Sequence, residues 1–297
     1  MRTLQVTVLS CLVVFAGCDR SKPAPEGEAV GTTASTVGES RAVRASGSSA
    51  LQPLVNAAKE KYEASHPKTS IEVSAGGSKK GLSDVASGAV DVGNSDIFAA
   101  ADQKATLVDH KVAVVGFAVM ANKGAFNEKV PALTKEQIGQ IFTGAIKNWK
   151  EVGGASQAIA VINRAPGSGT RTVFGNAILG GDRFVESQTE DNSGQLVTKL
   201  KSTPGAISYL ALSFAQDGLW VGGIVKDGKT IEPTEANITS GAYPIWSYEH
   251  MYTKGEAKGA TKEFLDYVLG TEFQSSVLPG VKGFIPVAKM TASKDID

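Results

Sequence analysis

Apolar and polar positions along this chain follow two recurring periods. Ala42-Val43-Arg44-Ala45 alternates as a short strand and runs into Ser46-Gly47-Ser48-Ser49. Leu51, Leu54, Val55, Ala58 and Tyr62 then recur at helical spacing and share one face, until Pro67 stops the run. Ile71-Glu72-Val73-Ser74 alternates again and ends at Ala75-Gly76-Gly77-Ser78. A short helix over 79–87 is expected to close at Gly88, a residue suited to a left-handed C-cap. Val90-Asp91-Val92-Gly93 reads as a strand ending at Asn94-Ser95-Asp96, and Val112 to Met120 is a continuous apolar run, as in a strand buried on both faces. Thr134 and Gln137 have the spacing of a capping box that starts a helix toward Phe142. Ile159 to Asn163 is a strand, followed by a Gly/Ser loop from Arg164 to Arg171 and a helix to about 179. Gly205 to Leu210 is a strand, and helices are expected near 258–269 and 271–278. Strands alternating with helices across short loops predict an α/β fold with mainly parallel strands.

The 297 residues are 42% hydrophobic and 20% charged, an ordinary globular composition. That length suits one large domain or two lobes of roughly 100–150 residues each. Lys+Arg and Asp+Glu each number 30, so the chain has no formal charge excess. A nucleic-acid-binding protein would show a basic excess or stripe, so that class is excluded. After residue 20 no apolar run approaches the length of a membrane-spanning helix.

The N-terminus changes this picture. Arg2 precedes a mostly apolar stretch that ends in Phe15-Ala16-Gly17-Cys18, small residues before a cysteine. Residues 1–17 read as a lipoprotein signal peptide. The pattern resembles a bacterial lipobox, in which Cys18 is lipidated and becomes the mature N-terminus. Residues 19–41 lack aromatics, Leu and Ile and are rich in Ser, Thr, Gly, Pro and Glu. With Cys18 they read as a lipid-anchored disordered tether, 18–41, holding a soluble domain off a membrane surface. Cys11 leaves with the signal peptide and the lipid would occupy Cys18, so the exported domain is expected to hold together without a disulfide.

One event repeats: a strand, a Gly/Ser/Thr loop, then a helix. It occurs at Gly47-Ser48-Ser49, at Gly76-Gly77-Ser78 and at Gly167-Ser168-Gly169-Thr170, and a further strand ends in Ser95-Asp96. Ligands of α/β sheets bind beyond the carboxyl ends of the strands. Glycine permits close backbone approach, and N–H groups at helix starts together with hydroxyls suit an anion. Arg164 adds a guanidinium able to give two parallel N–H bonds to two anion oxygens.

The stretch Arg164-Ala165-Pro166-Gly167-Ser168-Gly169-Thr170 resembles the Arg-x-x-Gly-Ser-Gly-Thr signature of the phosphate-binding proteins of phosphate ABC transporters, the PstS family. Gly47 to Leu51, Gly77-Ser78, Val92 to Asp96 and Pro204 to Tyr209 are similar to further family segments in the same order, as is Tyr243-Pro244-Ile245 with Met251 to Gly255. The resemblance implies a two-lobed type II periplasmic-binding-protein fold, each lobe a central mixed sheet flanked by helices. Lobe one would be 42–118 plus 247–297 and lobe two 119–246. It implies phosphate contacts from Ser49 and Ala50, from Ser78, from Asp96, and from Arg164, Ser168, Gly169 and Thr170. It further implies capture of inorganic phosphate by a monomer, delivery to the permease subunits of an ABC importer, and membrane attachment through the lipid on the periplasmic or cell-surface side. Another oxyanion such as sulfate or molybdate, or a sensor with no transport role, stays open as the alternative. Asp96 would select phosphate because an ionised carboxylate only accepts hydrogen bonds, and sulfate near neutrality has no proton to give. Pro166 stands where some relatives carry an acid that pairs with the arginine, leaving the partner of Arg164 open.

Other patterns point away from chemistry. Gly223 to Thr230 matches the Walker A spelling, but Pro233 follows where a helix must start, and Asp227-Gly228 is a hairpin signal. Ser65 to Lys68 spells SxxK with Pro67 inside it. His66, His110 and His250 are scattered, without metal-ligand spacing, and are expected at the surface. Trp149, Trp220 and Trp246 are expected in packing roles. The chain is therefore not expected to be an enzyme or to need a metal or cofactor.

Overall fold

The computed structural model describes residues 41–125 and 132–294. The proposed leader, Cys18 and all of the tether but Arg41 lie outside the described residues. The chain opens with β1 (Arg41–Gly47), α1 (Gln52–Ser65), β2 (Thr69–Ala75), α2 (Ser78–Ser87) and β3 (Val92–Ser95). Leu54, Val55, Ala58 and Tyr62 form the buried face of α1, with Leu51 buried at its N-cap. Gly88 closes α2 in the left-handed conformation, as its position suggests. β1 lies between β2 and β3, parallel to both. Its carboxyl end therefore sits beside the ends of both neighbours, which gathers their following loops at one edge.

After α3 (Ala101–Lys104) comes β4 (Leu107–Asn122), longer than the apolar run that foretells it. Residues 112–121 are buried throughout, because β4 belongs to two sheet regions in turn. Up to Gly116 it pairs with the late strand described below as β11, and from Phe117 to Ala121 with β8.

The second region holds β5 (Ala132–Thr134), α4 (Lys135–Phe142), β6 (Ala160–Arg164), α5 (Gly169–Phe174), β7 (Gln188–Glu190), α6 (Ser193–Ser202), β8 (Ala206–Ala211), β9 (Leu219–Lys226), β10 (Lys229–Ile231) and α7 (Glu235–Thr239). Thr134 and Gln137 form both bonds of the capping box, Thr134 Oγ1 accepting from the Gln137 N–H and Gln137 Oε1 from the Thr134 N–H. The chain returns through β11 (Trp246–Lys254), α8 (Gly259–Leu269) and β12 (Phe284–Ile285). The helix expected at 271–278 is a widened turn over Phe273–Val277.

One hydrogen-bonded path joins the strands in the order β2-β1-β3-β11-β4-β8-β6-β7. The expectation of mainly parallel strands needs correcting: the sheet is mixed. β1 pairs in parallel with β2 and β3, and β6 with β7 and β8, whereas β11 runs antiparallel to β3 and β4, and β4 antiparallel to β8 and β9. The long strands β4 and β11 carry the chain between the two regions, so they cannot share the direction of strands that each end in a loop and a helix. Among the described residues no helix is long and apolar enough to cross a membrane.

Candidate functional site

β6 ends at Arg164, and its next residues turn into α5. Beneath this turn lies an aromatic cluster. The Tyr209 ring stacks on Phe174 with centroids 4.3 Å apart, and Phe142 meets both edge-on. The Tyr209 hydroxyl accepts from the Arg164 N–H at 3.2 Å. Arg171 closes the turn from the other side: its Nη1 donates to the Arg164 carbonyl at 2.8 Å, its Nε pairs with Asp182, and its guanidinium lies over Phe184 at 4.3 Å. Strand, rings and a second arginine thus restrain the Arg164 backbone before its side chain makes any contact.

The Arg164 side chain is 1% exposed. Its Nε donates to the Glu190 carbonyl at 3.2 Å and its Nη2 to the Asp191 carbonyl at 2.9 Å. Nη2 also reaches Ser49 Oγ at 3.0 Å, and Nη1 reaches Ser193 Oγ at 3.2 Å. The partner of Arg164 that the sequence leaves open is thus a pair of backbone carbonyls in the turn before α6, joined by two serine hydroxyls. Burial pulls this guanidinium below its ordinary pKa, and the negative charge of Asp96 works against that shift. A guanidinium stays charged all the same. A cation held by neutral carbonyls and hydroxyls retains positive charge to offer an anion.

Asp96 follows β3 and is likewise buried. Its Oδ2 accepts from Thr170 Oγ1 at 2.8 Å and its Oδ1 from the Ser48 hydroxyl. Its N–H donates to Ser78 Oγ at 2.9 Å, and its carbonyl accepts from Ser247 Oγ at 2.8 Å. Lys79 N–H donates to the Gly167 carbonyl at 3.1 Å. Loops after β1, β2 and β3 are therefore tied to the loop after β6.

The structure brings the sequence-derived residues Ser49, Ala50, Ser78, Asp96, Arg164, Ser168, Gly169 and Thr170 into one buried cluster. Two of them also have local duties. Ser168 caps α5 by accepting from the Arg171 N–H at 3.3 Å, and the Ala50 N–H donates to Ser48 Oγ at 3.0 Å. Gly169 has no room for a side chain: a Cβ there would stand 2.8 Å from Ser78 Cβ and 2.9 Å from Asp96 Cβ.

Sequence reasoning passes over four neighbours. Ser48 bonds Asp96, and Ser193 meets Ser49 Oγ at 3.0 Å and Arg164. Ser247 and Glu249 come from β11. The signal for Ser193 is present at Asn192, an N-cap whose side chain accepts from Gly194 and Gln195, ahead of Leu196, Val197 and Leu200 at helical spacing. One expectation fails: His250 is fully buried, with Nδ1 2.7 Å from Asp109 Oδ1 and the ring 4.6 Å from Phe98, because β11 is an interior strand. Among the described residues no group of three or more His, Cys, Asp or Glu could hold a metal.

Comparison with known proteins gives this geometry a setting. The family model of the PBP superfamily domain matches residues 23–272. The phosphate-binding protein PstS of Bacillus subtilis (strain 168) is 48% identical over 254 residues, covering 84% of this chain and 82% of the relative. A Clostridium perfringens structure with bound phosphate, described as a phosphate ABC transporter substrate-binding protein, superposes with a TM-score of 0.76 at 29% identity, covering 83% of this chain and all of that one. An ABC-type phosphate transport receptor from Vibrio cholerae superposes with a TM-score of 0.64 at 25% identity, covering 82% and 99%. The chain belongs to the PBP superfamily and, within it, to the PstS family of phosphate-binding proteins.

Proposed function

We propose that this protein captures inorganic phosphate and delivers it, unchanged, to the permease of an ABC importer. The observation that carries this reading is the buried meeting of Arg164 and Asp96 among hydroxyls supplied by four separate loops. A guanidinium whose hydrogen bonds among the described residues go to carbonyls and serine hydroxyls, with no carboxylate bonded to it, suits a tetrahedral oxyanion. A carboxylate in the same cluster repels an oxyanion that has no proton and accepts a bond from one that does. Phosphate near neutrality still carries a proton, so it satisfies both demands.

In this reading Ser49, Ala50 and Ser78, with Asp96, hold the anion from lobe one, residues 42–118 and 247–297. Arg164, Ser168, Gly169 and Thr170 hold it from lobe two, residues 119–246. Binding stabilises the closed arrangement because only there do both sets of donors reach the same anion, and the permease reads that closed state. Export by the 1–17 signal peptide and a lipid on Cys18 would keep a monomer at the outer face of the cell membrane, where the 18–41 tether gives it reach.

Calorimetry on a soluble chain starting at Asp19, unfolded and refolded to remove carried-over ligand, tests this. One phosphate per chain, with sulfate and molybdate silent at neutral pH, is the expected result. Silence toward phosphate with a response to either other anion moves the function to that oxyanion.

A further inference from the structure

β11 passes between β3 and β4 at the centre of the sheet. His250 is paired with Ser95 and Met251 with Asn94. One further step in the same register sets Glu249 opposite Asp96. The step is regular on β11, because the irregularity between Glu249 and His250 skips Val112 on β4. Cross-strand partners project to the same face of a sheet, so the two carboxyls share one side. The bond from Ser247 Oγ to the Asp96 carbonyl, two residues before Glu249, fixes the approach.

Both side chains are buried, Asp96 at 1% and Glu249 at 0% exposure. The Asp96 oxygens accept from Ser48 and Thr170, whereas neither oxygen of Glu249 meets a donor among the described residues. An ionised Glu249 would be dry, unbonded and beside a second carboxylate, three costs with no return. A proton on Glu249 removes all of them, since the resulting hydroxyl has Asp96 as its acceptor. Burial first, and then the charge of Asp96, holds the Glu249 carboxyl well above the usual carboxylate range. Lys294 is bound at the start of β11, donating to the Pro244 and Trp246 carbonyls, and burial lowers its pKa to about 8, a titration that wild type and Glu249→Gln share. His250, which pairs with Asp109 of β4, and Tyr248, whose ring lies under Lys111 of β4 at 4.5 Å, flank Glu249 on β11 and so project to the opposite face. Lys80 and Asp84 of α2 pair with each other, and Arg164 is bound by the Glu190 and Asp191 carbonyls.

We propose that Glu249 is a positioning residue for anion selection: it keeps its proton, donates it to Asp96, and so backs the acceptor that Asp96 turns toward the anion with a carboxyl pair holding one proton. This rests on the phosphate-capture reading. Near neutrality the pair carries a single negative charge. As pH rises and the shared proton leaves, two negative charges face a bound anion, and affinity falls by roughly tenfold per pH unit across the window between the free and bound pKa values of the pair. Glu249→Gln keeps a donor toward Asp96 but cannot ionise, so it lacks that alkaline loss.

Two measurements on the full-length protein decide the matter. Infrared spectra at about pH 8, with glutamate side-chain carboxyls labelled with carbon-13, are expected to show the isotope-shifted stretch of an un-ionised carboxyl in wild type and not in Glu249→Gln. Calorimetric titration with inorganic phosphate from about pH 6 to pH 10 is expected to show the wild-type Kd rising relative to that of Glu249→Gln by at least about tenfold. Phosphate's own ionisation cancels in that ratio. Absence of the un-ionised band in wild type overturns the proposal and needs no variant that folds. A ratio constant within about twofold, with phosphate bound by both chains, overturns the positioning role alone. Phosphate silence in wild type overturns the capture reading, and the positioning role falls with it.

Discussion

Two glycine-bearing turns in this chain spell phosphate-binding patterns, and they fold into opposite surroundings. Arg164 to Thr170 leaves a strand and enters a helix, and its Arg164, Ser168, Gly169 and Thr170 are buried in the cluster that holds Asp96. Gly223 to Thr230 leaves a strand and enters another strand. Asp227 and Gly228 take φ of 50° and 72°, the left-handed pair that a two-residue hairpin requires, and Lys229 is exposed. The second turn directs no helix start and no buried cation at a common point. A phosphate pattern therefore has chemical meaning only where the chain after it supplies a helix and the fold around it excludes water. Substitutions at the two turns can break or sharpen that contrast.

The largest effect belongs to Arg164. Arg164→Ala removes the cluster's cation and leaves the Glu190 and Asp191 carbonyls, Ser49 and Ser193 without their donor. Loss of one partner of a desolvated charged pair costs about 2–5 kcal/mol, so phosphate affinity is expected to fall at least about thirtyfold. A calorimetric loss below tenfold would place Arg164 outside the phosphate contacts and remove the contrast between the turns.

Asp96→Asn acts on selectivity more than on charge. Asparagine turns half of the acceptor edge into a donor, which meets the fully deprotonated oxygens of sulfate without repulsion. Sites that demand a ligand hydrogen bond discriminate by up to about 10⁴-fold, so the phosphate-to-sulfate affinity ratio is expected to shrink by at least about tenfold. An unchanged ratio from parallel titrations would assign discrimination to some other group.

Gly169→Ala tests whether the tight meeting of the two regions matters. The added methyl would press on Ser78 and Asp96, across the contact between the loops after β2, β3 and β6. Overpacking of this kind costs about 1–3 kcal/mol. It is expected as a lower Tm together with weaker phosphate binding, because the same displacement separates donors from both sides. A variant melting and binding like wild type would show that these loops yield freely.

How much of this was readable from the residues follows the same logic. The strand–loop–helix units β1–α1, β2–α2 and β6–α5 each carry their own apolar period and their own Gly/Ser punctuation, so fold and candidate residues emerge together there. β11 does not. It is buried from Trp246 to Thr253, yet Ser247, Glu249, His250 and Thr253 interrupt its apolar run, and with both faces covered no alternation remains. Glu249 faces Asp96 only through a register set 153 residues away along the chain, as the span from Asp96 to Glu249 shows. The mixed direction of the sheet was hidden for a related reason: β4 serves two sheet regions, and no local pattern states which neighbours a long buried strand will have.

The smallest expected effect closes the comparison from its other side. Lys229→Ala in the hairpin removes the lysine that completes the Walker A spelling. Its side chain is exposed, and its backbone pairs with Lys226 across the turn in a way that alanine reproduces. Surface substitutions away from caps, cores and special backbone positions stay within about 0.5 kcal/mol, so phosphate affinity is expected to change by less than about twofold and Tm hardly at all. ATP titrated into wild type should give no heat beyond dilution, since a hairpin presents no row of N–H groups to a triphosphate. Heat from ATP that Lys229→Ala abolishes would overturn the contrast, because it would show that this turn binds phosphates without a helix behind it.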